Sequence, residues 1–309
     1  MAPASEDASF RRYFRVTGAE RTWVVMDAPP EHEDCRPFVK VAALFGAAGV
    51  HVPKVLAEDL DNGYLLLSDL GSTTYLQALN DSSADELYRA ANQALLQIQL
   101  ASRPAILPQY DRAVLLRELR LFPDWYIAKH LRIELTAAQT QALDQVFDAI
   151  LTNNLAQPRV YVHRDYHSRN LMVSDPNPGI LDFQDALFGP ITYDLASLYK
   201  DAYIAWSEER VIDWVVRYWE DARHAGLPVA QDFGAFYRDF EWMGAQRHIK
   251  VLGIFARLFH RDGKDRYLQD MPLVMSYLRK ACERYAELTP LSRLLDQLDG
   301  RQPSAGYSF

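Results

Sequence analysis

Between Val160 and Asp185 the chain reads VYVHRDYHSRNLMVSDPNPGILDFQD, and the side chains able to do chemistry are spread along it. Asp165, Asn170 and Asp182 are the central three, with Asp182 seventeen residues beyond Asp165. A carboxylate and a carboxamide that offer oxygens to one cation, with a second carboxylate left free as base, suit phosphoryl transfer. Mg2+ takes hard oxygen ligands and keeps waters and substrate phosphates as the rest of its shell. Asn170 supplies such an oxygen without the repulsion a third acid would add beside a polyphosphate. Singly, each residue has an ordinary structural use as a cap, a turn or a backbone-bonding side chain. Their joint spacing is what points to a site.

The elements that must position these groups are short. Arg159 to Val162 and Leu171 to Val173 read as strands, Asp175 to Gly179 as a turn, and Ile180 to Phe183 as a third strand. Paired strands would bring their ends, and so the three polar side chains, together. Upstream, residues 10 to 28 read as two strands joined at Gly18, Arg36 to Ala48 as a helix with Phe38, Val41, Leu44 and Phe45 on one side, and Tyr64 to Leu67 as an apolar strand running into Ser68, Asp69, Leu70 and Gly71. From Thr73 onward helices dominate. Ser83 with Glu86, and Thr136 with Gln139, have the spacing of capping boxes. Gly189 and Pro190 read as a turn before a helix with Asp194 near its start, Ser207 as the cap of the next helix, and the aromatic last third as helical to about Leu298.

Composition narrows the partners. At 309 residues and 49% hydrophobic, the chain can bury a full core and has room for two lobes. The net charge of -8, without an Arg- or Lys-rich stripe, argues against a nucleic-acid binder and favours a small-molecule substrate. Cys35 and Cys282 suit a reducing cytoplasm and exclude a disulfide scaffold. The first fifteen residues lack the apolar core of a signal peptide, and no run approaches the apolar length of a membrane span. A cytoplasmic monomer is the expectation.

HRDYHSRN followed by LDFQD resembles the catalytic loop of protein kinases and, more closely, of the aminoglycoside and choline phosphotransferases, with a second histidine, His167, inside the loop. The resemblance implies an α+β fold of the bilobal protein-kinase-like kind: a small antiparallel-sheet N-lobe over residues 1–69, and a mainly helical C-lobe over 70–309 that carries the catalytic loop. It implies ATP as donor, Asn170 and Asp182 as Mg2+ ligands, Asp165 as the residue that orients the acceptor hydroxyl, and His163 and Asp194 as braces. Ser68, Asp69 and Leu70 fall where the hinge reads the adenine edge, and Ser5 to Arg12 where a loop covers the phosphates, with Ser9, Arg11 and Arg15 as its candidate contacts.

One departure stands out. The family's ATP-positioning lysine belongs near the end of the second hairpin strand, where this chain has Met26 and Asp27, so either a first-strand arginine, above all Arg15, is expected to reach phosphate, or the nucleotide is held chiefly through its metal. The combination of RRYFRV, WVVMDAPPE, LLLSDLG and FYRDFEWMGAQRHIKVLGIFARL with the catalytic segment is similar to the bacterial anomeric kinases that phosphorylate N-acetylmuramate and N-acetylglucosamine at C1 for peptidoglycan recycling. On that resemblance Arg164, Asp185 and Arg247 are candidate acceptor contacts, and Arg164, Arg247, His248 or Lys250 is the cation expected to face a lactyl carboxylate. The alternatives are an aminoglycoside, homoserine or choline-type kinase, or a non-catalytic nucleotide-binding scaffold. A protein kinase would carry D-F-G and A-P-E signatures, which LDFQDALFGP does not supply.

Overall fold

The computed structural model describes residues 2–5, as backbone, and 10–300. In chain order the first elements are β1 (Ala2–Ser5), β2 (Arg12–Thr17), β3 (Thr22–Asp27), α1 (Arg36–Ala47), β4 (Val55–Asp59), β5 (Tyr64–Ser68), α2 (Tyr75–Ala78), α3 (Ala84–Leu100) and α4 (Arg112–Leu121). A π-helical stretch, Phe122–Leu131, prolongs α4 and precedes α5 (Ala137–Ala156), β6 (Arg159–Val162), β7 (Leu171–Met172), β8 (Gly179–Ile180) and β9 (Leu187–Pro190). Then come α6 (Tyr193–Tyr199), α7 (Glu208–His224), α8 (Phe233–Asp262), α9 (Met271–Arg284) and α10 (Thr289–Leu298). The α+β class expected from the sequence is the class the chain adopts.

The chain divides into two compact units: Met1–Pro108 with Val160–Phe188 and Glu208–Pro228, and Gln109–Arg159 with Gly189–Ser207 and Val229–Phe309. The expected lobes are 1–69 and 70–309; compactness groups the catalytic segment with the sheet.

The first unit is built on an antiparallel sheet of order β1-β2-β3-β5-β4. The β2–β3 hairpin pairs Arg12 with Asp27 and Thr17 with Thr22, and β3 continues against β5 from Trp23 opposite Ser68 to Asp27 opposite Tyr64. Branched and aromatic residues on these strands fill one face of the pleat, with Met26, Leu65 and Leu67 almost fully buried. Helix α1 begins at Arg36-Pro37, proline being suited to a first turn that has no hydrogen bond to lose, and buries Phe38, Val41, Ala42 and Phe45. Its ring of Phe38 lies 4.8 Å from that of Phe183, and Phe45 lies 6.0 Å from Phe183 and 6.3 Å from His163. Burial of each such ring is worth about 2–3 kcal/mol, so the helix fixes the residue directly after Asp182. In the same unit α7 packs on α3 through Trp214 against Tyr88, Trp214 Nε1 donating to Asp85 (2.9 Å), and the Tyr218–Gln99 hydrogen bond.

Three local expectations need correction. Gly189 and Pro190 end strand β9 and do not form a turn. Ser83 does not cap α3: its backbone is already helical and its hydroxyl donates to the Ala78 carbonyl at 2.7 Å. A complete capping box is formed instead by Thr74 and Gln77 ahead of α2, while Thr136 and Gln139 cap α5 as their spacing predicts. The third run of the catalytic segment stops at Ile180 because Asp182 takes a φ of 61°, which no strand tolerates.

The second unit is helical and centred on α8, the longest helix. Gly253 lets the end of α4 approach closely: a Cβ there would lie 2.4 Å from the Leu121 backbone. Buried ion pairs cross its interior. Lys250 Nζ contacts Glu118 at 3.1 Å and donates to Tyr193 Oη at 2.9 Å, while Tyr110 donates to Glu118 at 2.5 Å. Glu241 takes Lys200 at 3.3 Å and both Arg284 and Tyr285 at 2.7 Å.

Candidate active site

Leu181 is the hinge pin of the catalytic segment. Its amide donates to the Asn170 carbonyl at 2.9 Å, and its own carbonyl accepts from His163 Nε2, also at 2.9 Å. The other ring nitrogen of His163, Nδ1, accepts the Asp165 amide at 3.2 Å, so one imidazole joins the base-bearing loop to the residue before Asp182. Full burial pushes the His163 pKa down to about 4, partly opposed by the Asp165 carboxylate, and holds the ring in the neutral form that this donor–acceptor pattern requires. The bracing expected of His163 is thus made through backbone groups.

The loop closes on itself by further backbone bonds. The Asp165 carbonyl accepts the His167 amide at 3.0 Å and the Asn170 carboxamide nitrogen at 2.9 Å. That second bond fixes the carboxamide so that its nitrogen faces the loop backbone. The same nitrogen lies 3.4 Å from Asp182 Oδ2, so Asn170 and Asp182 are neighbours, and all three central residues are half-buried. Tyr166, fully buried, ties the loop to α3 by donating to the Ala91 carbonyl at 2.8 Å; the Leu76 amide reaches the Ser168 carbonyl at 3.0 Å.

Arg164 and Asp182 both adopt positive φ, 79° and 61°. Such backbone costs on the order of 1–3 kcal/mol per non-glycine residue and persists where the surroundings over-determine it. Arg164 donates to the Asp185 carbonyl at 3.4 Å, and Asp185 itself is exposed. Gln184, absent from the expectations, is a positioning residue: its Nε2 donates to Asp182 Oδ1 at 2.7 Å and lies 3.4 Å from Asp185 Oδ2. The signal for it in the sequence was only its place between two acids in DFQD.

At the end of the sheet, Arg15 is committed to the hinge. Its Nε and Nη2 make a fork on Asp69 at 2.5 and 2.9 Å, and Nη2 also donates to the Gly71 carbonyl at 2.7 Å. Burial raises the Asp69 pKa, but Arg15, Thr22 and the Gly71 amide outweigh that and hold it below the ordinary value. The expectation that Arg15 reaches phosphate therefore meets a competing carboxylate. Ser68 is occupied as well, its amide and hydroxyl both bonded to Lys54 at 2.9 and 2.8 Å. The peptide groups of Asp69 and Leu70 lie past the end of the ladder, where a purine edge could be read. Ser9 lies outside the described residues. Arg11 comes to 3.8 Å from Asp182 Oδ1, and Met26 is buried in the sheet with the adjacent Asp27 paired to Arg12 at 2.5 Å.

A carboxamide and a carboxylate in neighbouring positions, with few further ligands, are the kind of groups a hard cation takes when phosphate and water complete its shell. Among the described residues no three His, Cys, Asp or Glu side chains gather into a protein-only metal nest. Arg247, on α8 in the second unit, is 4% exposed and its Nη1 has no hydrogen-bond partner among the described residues.

Residues 1–233 match the phosphotransferase enzyme family. An N-acetylmuramate/N-acetylglucosamine kinase of Pseudomonas aeruginosa is 56% identical over 96% of this chain and 88% of its own length. The protein of the same name from Neisseria meningitidis serogroup B is 52% identical over 99% of this chain and 93% of its own. Among solved structures, a choline/ethanolamine kinase family protein of Mesorhizobium loti superposes with a TM-score of 0.61 at 14% identity, covering 91% of this chain and 92% of that one, a likeness of fold. Matched over residues 1–233 and more than half identical to a curated relative along most of its length, the chain belongs to the phosphotransferase enzyme family.

Proposed function

We propose that the protein transfers the γ-phosphoryl of ATP to the anomeric C1 hydroxyl of N-acetylmuramate and N-acetylglucosamine, giving the sugar 1-phosphates for peptidoglycan recycling. The observation that carries the transfer chemistry is the neighbourhood of Asp165, Asn170 and Asp182, joined by bonds of 2.9 and 3.4 Å from one carboxamide nitrogen. The amino-sugar acceptor is supported by relatives 50–56% identical that bear that activity in their names.

Asp165 orients the acceptor hydroxyl and takes its proton late, because a loose, metaphosphate-like transition state needs alignment more than a strong base. Asn170 Oδ1 and Asp182 would hold Mg2+, which when bound neutralises charge on the phosphates. Asp69 and Leu70, with Ser68 behind them, offer peptide groups to adenine, and the 1–69 sheet covers the nucleotide. Ser9, Arg11 and Arg15 belong to that covering segment. Arg164 is one cation proposed for the lactyl carboxylate; Arg247, in the other unit, is the alternative, because a buried guanidinium with an unpartnered N–H suits an anion. Asp185, exposed beside the loop, is proposed as an acceptor for a sugar hydroxyl. The work is that of a cytoplasmic monomer.

The test is a panel of N-acetylmuramate, N-acetylglucosamine, glucose, homoserine, choline and kanamycin with ATP and Mg2+, the product position read by phosphorus-coupled NMR. C1 phosphate on the two amino sugars alone is expected. Phosphate at another carbon, or a preference for any other acceptor, overturns the assignment. Asp165→Asn should lower turnover at least a hundredfold, as removal of a positioned general base does, while leaving ATP binding nearly unchanged.

A further inference from the structure

We infer that Arg11 does the work of the missing lysine: it is the cation just ahead of β2 that stands beside Asp182 and grips the donor's phosphates. The inference rests on the ATP-dependent reading above and deepens it by assigning the phosphate contact to one residue.

The usual lysine of this kind of site pairs with an acid on the following helix. Here both halves of that pair are absent. Met26 is 1% exposed and packs inside the sheet, and α1, RPFVKVAALFGA, contains no acid. The other cations of this region are engaged elsewhere. Arg12 is paired with Asp27, Arg15 forks onto Asp69 and Gly71, and Lys40 donates to the Ile106 carbonyl at 2.7 Å. Arg11 does reach the site. Its side chain is only 11% exposed and Nη2 is 3.8 Å from Asp182 Oδ1, an ion-pair distance too long for a hydrogen bond.

The two edges of the Asp182 carboxylate are differently used. Oδ2 faces Asn170, and Oδ1 carries Gln184 at 2.7 Å with Arg11 beyond it. Arg11 stands on the Oδ1 flank, where a guanidinium can turn its fork onto phosphate oxygens. The residue is held there from behind. The Phe10 ring stacks on His32 with centroids 4.4 Å apart, and the Phe10 amide donates to Glu33 at 3.3 Å. Placement next to a carboxylate before the nucleotide arrives lowers the reorganisation needed on binding, since the fork is already ordered.

The test compares affinities for adenosine, ADP and a non-hydrolysable ATP analogue with Mg2+, by calorimetry, for the whole protein and the variants R11M and R11K. R11M keeps the bulk of the stem and removes the charge; R11K keeps the charge and removes the fork. Adenosine affinity should be the same in all three. The gain in affinity from adenosine to the ATP analogue should fall about tenfold to a hundredfold in R11M, the worth of a charge-assisted contact, with R11K in between. An R11M protein that keeps the wild-type gain, or an R11K no better than R11M, overturns the inference. A wild-type protein that binds no adenine nucleotide overturns the ATP-dependent reading itself, and this inference with it.

Discussion

Removing Arg15 tests whether the arginine-rich first strand serves the hinge or the phosphates. Its guanidinium makes three contacts of 2.5–2.9 Å to Asp69 and Gly71, and the Asp69 side chain is 5% exposed against 28% for Arg15. A fully buried ion pair broken from one side costs about 3–5 kcal/mol, because a charge is left without compensation. Here the Gly71 amide still donates to Asp69 at 3.0 Å and Arg15 borders solvent, so about 2–3 kcal/mol is expected for R15A. D69N should cost less, about 1–2 kcal/mol, since the freed guanidinium can turn to water. The double variant should show a coupling of about 1.5–2 kcal/mol. Urea midpoints for the four proteins give the cycle. Coupling below about 0.5 kcal/mol, the scatter of independent sites, would refute the clamp. Nucleotide binding supplies the second readout: a displaced hinge should weaken adenosine and the ATP analogue by the same factor. A loss confined to the analogue would return Arg15 to the phosphates, and would count against the role given to Arg11.

Two further outcomes follow from buried groups. His163 stays neutral in the fold down to about 4, whereas an unfolded histidine titrates near 6.5, so between those values the unfolded chain binds a proton that the native protein does not. The stability it contributes is complete above pH 6.5 and is lost as pH falls toward 4, a window worth about 3 kcal/mol. H163Q, which can accept the Asp165 amide and donate to Leu181 without titrating, should flatten the pH dependence of unfolding over that window by about 2–3 kcal/mol; an unaltered slope would show the ring is not buried neutral. In the second unit, K250M should destabilise by about 3 kcal/mol by stranding Glu118, with E118Q/K250M recovering most of it, as judged by thermal unfolding; equal losses in the single and double variants would contradict a coupled pair.

The sequence exposed the catalytic segment because its residues are spaced by local turns: Asp165 and Asn170 are joined by a bond within one loop, and Thr136 with Gln139 caps a helix through contacts three residues long. What it concealed depended on partners far along the chain. Nothing near Arg15 says that Asp69, fifty-four residues on, will take its guanidinium. The strand expected over Ile180 to Phe183 failed for a related reason. Leu181 and Phe183 have strand-like side chains, but tertiary bonds to His163 and Asn170 and the packing of Phe183 under α1 outweigh that propensity.

The same bonds explain how two strained residues can persist at the site. Arg164 and Asp182 lie on either side of the connection through His163, one next to the ring in sequence and the other next to its acceptor Leu181. If the imidazole were protonated, Nδ1 could no longer accept the Asp165 amide, and the loop would lose the bond that keeps Asp165 and Asp182 in register. Burial of His163 is therefore more than core packing: by excluding the charged form it protects a geometry whose backbone is unfavourable by on the order of 1–3 kcal/mol at each of two positions. The site's acids can then remain half-exposed to substrate while the part that fixes their separation stays dry, under Phe45 and Tyr166.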